Sequence, residues 1–473
     1  MIKNCISLRS TPFKIGELTC LKTLTTFIVG SKTGHGLEEL NKLQLGGKLY
    51  IKSLKNVSNE EDARGANLIG KKDLKRLYLS WGGVGYVNSQ VGGVDSERVL
   101  EALEPHSGLT HFGVNGYGGT DFPHWMRNTS ILKGLVSIIL YECENCRQLP
   151  PFGKLPCLTT LFVSGMKDIK YIDDDLYEPA TETAFTSLKY LTLRDLPNLE
   201  RLLEVEGVNM LPQIIDLGVI NVPKLALPSL PSVESLNASG GNEELLKSIV
   251  NNSNMYNLKL LCISKFSRLV ELPVWFELGT LSALESLEIS GCDEMESLSE
   301  QLLQGMSSLR TLSVDHCSRF KSLSDGMIHL TCLEGLEIDY CLEFVFPRNM
   351  NKLTTLRRLK VTGLNWNILD GIEGIPSLQN LCLSYFPSLT SLPNYLGAMT
   401  SLQKLEIIKF PKLSSLPENF QQLQNLQKLS ILDCPKLAKR IKRGIGEDWH
   451  KIAHIPEFEL FYVAEPTFCG NLI

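Results

Sequence analysis

The chain has 473 residues, a net charge of −5 and 43% hydrophobic content. That is apolar material for a large core, but single compact cores stop growing at about 250–300 residues, so several domains or a repeat array is expected. The acidic balance excludes a chain built as a whole to hold polyanions, and no apolar run reaches the roughly 18 residues that cross a membrane.

In chain order, Cys5, Leu8, Pro12, Phe13 and Ile15 read as the second half of a recurring unit, continued by Leu18, Leu21, Leu24, Phe27 and Val29. They form no apolar core of a secretory signal. The chain is therefore expected to begin inside an array, as a fragment or after loss of an upstream part. Residues 46–57 give an irregular unit, and 62–68 predict a short helix. Leu74, Leu77 and Leu79 predict a strand ending at Trp81, followed by a Gly-rich loop over 82–95. The same spacing recurs at Leu109, Phe112 and Val114, at Leu135, Ile138 and Leu140, at Leu158, Leu161 and Val163, and at Leu188, Leu191 and Leu193. Residues 173–184 read as an acidic insertion. From 200 to 257 the pattern fades: Ile214, Leu217 and Val219 make one copy, Val233 and Leu236 a poor one. Asn242 is expected to cap a short helix over 243–250.

The clean block runs from Leu258 to Cys434, where L-x-x-L-x-[LIV]-x-x-[CF] returns every 22 to 26 residues. Apolar positions two apart lie on one face of a strand. One such strand is too short to stand alone, but stacked copies make a parallel sheet over a continuous core. The period matches leucine-rich repeats. The expected fold class is α/β: a leucine-rich repeat solenoid, or horseshoe, with a parallel β-sheet on the concave face. The expected divisions are irregular repeats over 1–200, weakly patterned repeats over 201–257, regular repeats over 258–445, and a cap and tail over 446–473. The ninth position holds Cys143, Cys292, Cys317, Cys341 and Cys434 in some copies and Phe266, Phe386 and Phe410 in others. That alternation describes a buried apolar slot rather than a disulfide framework, and points to a reducing compartment.

Several stretches carry a more specific resemblance: residues 15–30 (IGELTCLKTLTTFIVG), 37–57 (LEELNKLQLGGKLYIKSLKNV), 99–126, 146–161 (CRQLPPFGKLPCLTTL) and 446–456 (GEDWHKIAHIP). Together they resemble the leucine-rich repeat region of plant nucleotide-binding, leucine-rich repeat disease-resistance proteins, with the coiled-coil class the best fit. The G-x-x-x-x-G-K-[ST] loop of that family's nucleotide switch does not occur in this sequence. The resemblance implies a cytoplasmic, non-enzymatic recognition module without a cofactor. Its partner would be a pathogen effector, a guarded host protein, or a nucleotide-binding domain in cis or trans, and it would restrain that switch.

The residues between the strand leucines are expected to project from the concave face. There Glu285, Glu288, Asp315, Glu334, Glu337 and Asp339 are acidic across three units, and Arg357, Arg358 and Lys360 follow in the next. With Tyr340 and Tyr385 beside them, they form the candidate partner-binding surface, by charge complementarity and aromatic anchoring; the alternative is a face merely kept soluble by charge. Cys262 and Cys382 also fall at projecting positions.

Other chemistry is weakly supported. Cys143 and Cys146 form a lone C-x-x-C without a second pair, and His450 and His454 lack the glutamate of H-E-x-x-H. Trp449, Ile452 and Ile455 read as a cap over the last repeat's edge. Lys436, Lys439, Arg440, Lys442 and Arg443 read as a solvated helix face rather than a nucleic-acid contact. A substrate-binding subunit of a ubiquitin ligase is the alternative function, disfavoured by the recurring L-P tails and by the lack of an F-box-like segment. An extracellular ectodomain would carry Asn at the ninth position.

Overall fold

A computed structural model of the chain describes residues 10–57, 59–82, 96–173, 182–203, 206–241, 245–248, 256–272, 281–363, 369 and 371–461. It divides into two compact units, residues 1–254 and 255–473. Among the described residues the main parallel sheet of each unit has nine strands. In the first they run from Thr26–Ile28 through Gly47–Lys52, Leu74–Ser80, His111–Asn115, Ser137–Tyr141, Thr160–Ser164, Tyr190–Arg194 and Asp216–Ile220 to Ser235–Ser239. In the second they are Leu260–Ser264, Ser286–Ser290, Thr311–Asp315, Gly335–Asp339, Arg358–Thr362, Asn380–Ser384, Lys404–Ile408, Lys428–Leu432 and Glu457–Phe461. Within each unit, each of these strands pairs with the strand of the next repeat, so both units are leucine-rich repeat solenoids.

Register follows from burial. Leu287, Leu312, Leu336 and Leu359 lie side by side, as do Ile289, Val314, Ile338 and Val361, and both rows face the core. A slip of one residue would turn every one of these side chains to solvent. Behind the strands, Phe266, Cys292, Cys317, Cys341, Phe386, Phe410 and Cys434 fill the ninth-position slot and are all buried. Every described cysteine is a free thiol. The repeat backs are short. Ser299 caps the helix Glu300–Gln304 by accepting from Leu302 N–H, and Pro393 and Pro417 stand before the 3-10 turns Asn394–Ala398 and Glu418–Gln422.

Sequence spacing does not reveal how the ladder ends. The residue just after the strand takes a left-handed backbone in most repeats: Lys265, Gly291, His316, Tyr340, Tyr385, Lys409 and Asp433 in the second unit have φ between 48° and 61°. There the amide of Tyr340 donates to Thr362 O (2.9 Å) and that of Tyr385 to Ile408 O (2.8 Å). One more hydrogen bond thus stabilises the parallel pairing, set against the steric cost of that backbone for a residue with a Cβ.

Several expectations shift. The first helix is Glu60–Gly65, because the Asn59 side chain caps it from Asp62 N–H. Leu236 belongs to the fully registered strand Ser235–Ser239, which the buried Val233 precedes, with Ala238 in the inner row where the motif favours a larger side chain. Asp173, the first residue of the acidic insertion, ends the strand Tyr171–Asp173 and is buried: its carboxylate accepts from Gly153 N–H (2.8 Å). Leu18 stays exposed and Leu21 and Leu24 partly so, because no described strand precedes Thr26–Ile28 to cover them. Trp449, Ile452 and Ile455 do not close the edge; they form the back of a repeat that leads into Glu457–Phe461, which extends the sheet by one strand. Cys5, Leu8, residues 83–95, Asn242 and both ends of the 243–250 helix lie outside the described residues.

One lysine of the first unit is buried and ties down the backbone of a neighbouring repeat. Lys71 is 1% exposed, and its ammonium donates to Leu40 O and Leu43 O, both at 2.8 Å. Burial pushes Lys71 down to about 8. The unfolded chain holds this proton up to about pH 10.4, so between about pH 8 and 10 it binds more protons than the folded chain, and this side chain makes stability rise with pH. Denaturant titrations at pH 7.5 and 9.5 are expected to show Lys71→Met destabilised at both, by a larger margin at the higher pH.

Candidate functional site

Three rows of side chains project from the outward face of the second unit's sheet. The row nearest the strand starts reads Ser286, Thr311, Gly335, Arg358, Asn380, Lys404. The middle row reads Glu288, Ser313, Glu337, Lys360, Cys382, Glu406, and the third Ser290, Asp315, Asp339, Thr362, Ser384. Ser286, Thr311, Ser313 and Gly335 are small, so the face sinks between Glu288 and the longer Arg358, Lys360, Lys404 and Glu406. The result is a hollow of about 430 Å³.

The sequence-derived candidates separate into groups. Glu288, Glu337, Arg358 and Lys360 surround the hollow. Asp315 and Asp339 lie beside one another in the third row. Glu285, Glu334 and Arg357 precede their strands and stand at the border of the sheet; Glu334 pairs there with Arg310 at 2.6 Å. Tyr340 and Tyr385 occupy the left-handed positions after their strands and meet at 5.8 Å between ring centroids. They are two repeats apart, and the repeat between them has Gly363 at that place, with no side chain to separate the rings. His316, which the motif does not single out, completes the group 4.6 Å from Tyr340.

The charges interdigitate rather than forming separate acidic and basic fields. Lys360 bridges Asp339 (2.6 Å) and Glu337 (3.5 Å), and Lys404 holds Glu406 at 3.0 Å. Burial alone would lower the Lys360 ammonium, but hydrogen bonds and charge from Asp339 and Glu337 outweigh it and raise the group above its ordinary value. His316 Nδ1 lies 2.6 Å from Asp315. Among the described residues Glu288 and Arg358 have no ion-pair partner, so the rim of the hollow keeps one free carboxylate and one free guanidinium. Cys382 lies half-buried between Lys360 and Glu406 in the middle row, and burial pushes its thiol up to about 11. It is therefore a protonated wall group, not a nucleophile.

The basic cluster near the C-terminus is partly consumed by the fold. Arg440 ends the helix Pro435–Arg440 and pairs with Asp448 at 3.2 Å and Glu447 at 2.6 Å.

The parallel strands, the inward leucine rows and the exposed charged face define a leucine-rich repeat region. Residues 37–166 match a family model described as R13L1/DRL21 LRRs. The chain is 38% identical over 304 residues, 64% of its length, to putative disease resistance protein RGA1 of Solanum bulbocastanum, and covers 27% of that protein. It is 40% identical over 273 residues, 54% of its length, to disease resistance protein RGA2 of the same species, again covering 27%. With a putative disease resistance RPP13-like protein 1 of Arabidopsis thaliana it shares 32% identity over 312 residues, 60% of this chain and 28% of that one. The chain is thus a leucine-rich repeat region similar to those of plant disease resistance proteins, and it spans about a quarter of their length. A solved leucine-rich repeat protein of Leptospira interrogans aligns over 94% of this chain and 95% of its own, with a TM-score of 0.47 and 17% identity.

Proposed function

We propose that this chain is the protein-recognition module of a coiled-coil-class plant immune receptor, acting in the cytoplasm. It senses a pathogen effector or a guarded host protein and restrains a nucleotide switch carried by a nucleotide-binding domain in cis or trans. The hollow on the outward face of the second unit carries the reading. Its floor is made of small side chains, its rim holds a free carboxylate and a free guanidinium, and Tyr340 and Tyr385 stand beside it as anchors. Interface cores favour buried aromatic anchors within a charge-matched rim.

Charge reversal tests this, with the positions chosen for their exposure. Asp339 is a poor target because its side chain is 13% exposed and locked to Lys360, so a lysine there would disturb the fold. Glu288 and Glu337 are exposed. Proximity labelling in infected leaf tissue should yield a defined set of proteins with the wild-type chain. Glu288→Lys with Glu337→Lys should lose that set while the melting temperature is kept. Capture of the same set by the folded double variant would rule the surface out.

A further inference from the structure

The outward face of the first unit differs in kind from that of the second. Its projecting residues are Lys48, Tyr50 and Lys52, then Arg76, Tyr78 and Ser80, then His111, Gly113 and Asn115. The next strands add Ser137, Ile139 and Tyr141, Thr160, Phe162 and Ser164, and Tyr190, Thr192 and Arg194. From Lys48 to Arg194 no carboxylate occupies an outward strand position; Asp216 is the first. On the second unit Lys360, Lys404 and Lys428 each meet a carboxylate within 3.0 Å. Among the described residues Lys48 and Arg76 meet none.

These cations belong to a built feature. The rings of Tyr50 and Tyr78 stack at 4.6 Å and 20° across neighbouring strands. The Lys48 ammonium lies 4.5 Å from the Tyr50 centroid and 5.4 Å from that of Tyr78. The stack requires the glycine in the following strand: a Cβ at residue 113 would come within 2.5 Å of Tyr78 Cδ1. Gly113 therefore lets the Tyr78 ring lie down over the sheet. His111 sits in line with Arg76, and its imidazole is held below the ordinary range by burial first, then by the charges of Arg76 and Lys48. The same unbalanced positive charge would favour a carboxylate.

We propose that Lys48, Arg76 and His111, set around the Tyr50–Tyr78 stack, form a second recognition site that takes an extended acidic segment of a protein partner. Neighbouring strands lie about 4.8 Å apart, so the three positive or hydrogen-bonding groups span roughly 10 Å across the sheet. A segment crossing the strands with carboxylates a few residues apart reaches all three, and its apolar side chains continue onto Ile139 and Phe162. Single-stranded nucleic acid is the competing ligand for basic residues among aromatics, since bases stack on open rings. Here one face of each tyrosine is covered by the other ring, and the Lys48 ammonium lies against both, which favours carboxylates over bases. The site lies in the other unit from the hollow and does not depend on the reading given above.

The test uses the full chain and two fluorescent probes of equal charge: a twelve-residue peptide with alternating glutamate and alanine, and an oligothymidylate. Polarisation at low salt should show saturable binding of the peptide, tighter than that of the oligonucleotide and weakening as salt is raised. Lys48→Glu with Arg76→Glu should weaken the peptide by about tenfold or more. Gly113→Val, which displaces Tyr78 but keeps every charge, should weaken it measurably, while Lys412→Glu in the second unit should leave it unchanged. Circular dichroism confirms that each variant is folded. An absence of saturable peptide binding, equal binding by the double variant, or tighter binding of the oligonucleotide would each overturn the assignment. Peptide binding that ignores Gly113→Val would reduce the site to unspecific charge and overturn it as a built feature.

Discussion

Asp448→Ala is expected to destabilise the second unit by about 3–5 kcal/mol, the usual cost of removing one partner from a buried charge pair. The Asp448 side chain is 2% exposed and that of Lys451 3%. Together they grip the backbone of the preceding repeat at one residue: Asp448 accepts from Leu416 N–H at 3.2 Å, and Lys451 donates to Leu416 O at 2.8 Å. Arg440 supplies two further donors to Asp448. Burial pushes the Asp448 carboxyl up, but the hydrogen bonds from Arg440, Lys451 and the Leu416 amide outweigh it and hold the group below its ordinary value. A carboxyl lowered in the fold contributes stability that is complete above its unfolded pKa, about 3.9, and is lost as pH falls through the folded value. Urea titrations of wild type and variant should differ fully at pH 7 and by progressively less as pH falls below about 4. An equal gap at pH 7 and pH 3 would show that Asp448 acts through packing rather than charge.

Leu336→Ala should cost about 2–5 kcal/mol. The side chain is fully buried between Leu312 and Leu359, in a row where each leucine is covered by its neighbours in sequence-adjacent repeats. In a solenoid each repeat touches only its neighbours, so the damage should be local. Hydrogen exchange is expected to rise first in the strands Thr311–Asp315, Gly335–Asp339 and Arg358–Thr362. Glu288→Ala, at an exposed position two strands away, should stay within about 0.5 kcal/mol. Protection lost uniformly across the unit would contradict the nearest-neighbour picture.

The repeat architecture was legible because burial is periodic. Leu284, Leu287, Ile289 and Cys292 announce a strand and its turn in four letters, and the copy at Leu309 repeats them. The weak copy at Val233 and Leu236 was harder to read because Ala238 fills a place where the motif favours a larger side chain, although the preceding strand still pairs with it. The resemblance in residues 446–456 was legible, but the reason for its Asp and Lys was not. Those two act on Leu416, 32 and 35 residues away, and no local pattern reports such a contact.

The candidate surface divides in the same way. The sequence by itself determined that Glu288, Glu337 and Lys360 share one face, because alternate residues of a strand point the same way. It also determined the core rows, the ninth-position slot and the approximate strand limits. Only the tertiary structure decided which charges are free. Lys360 is tied to Asp339, Arg358 is not tied, and Tyr340 reaches Tyr385 across Gly363. It also decided that Tyr50, Tyr78 and Gly113, from three separate repeats, make one surface feature. The physical reason is that periodic burial is written within each repeat, whereas pairing across a parallel sheet joins residues about 25 positions apart, whose identities no single repeat constrains.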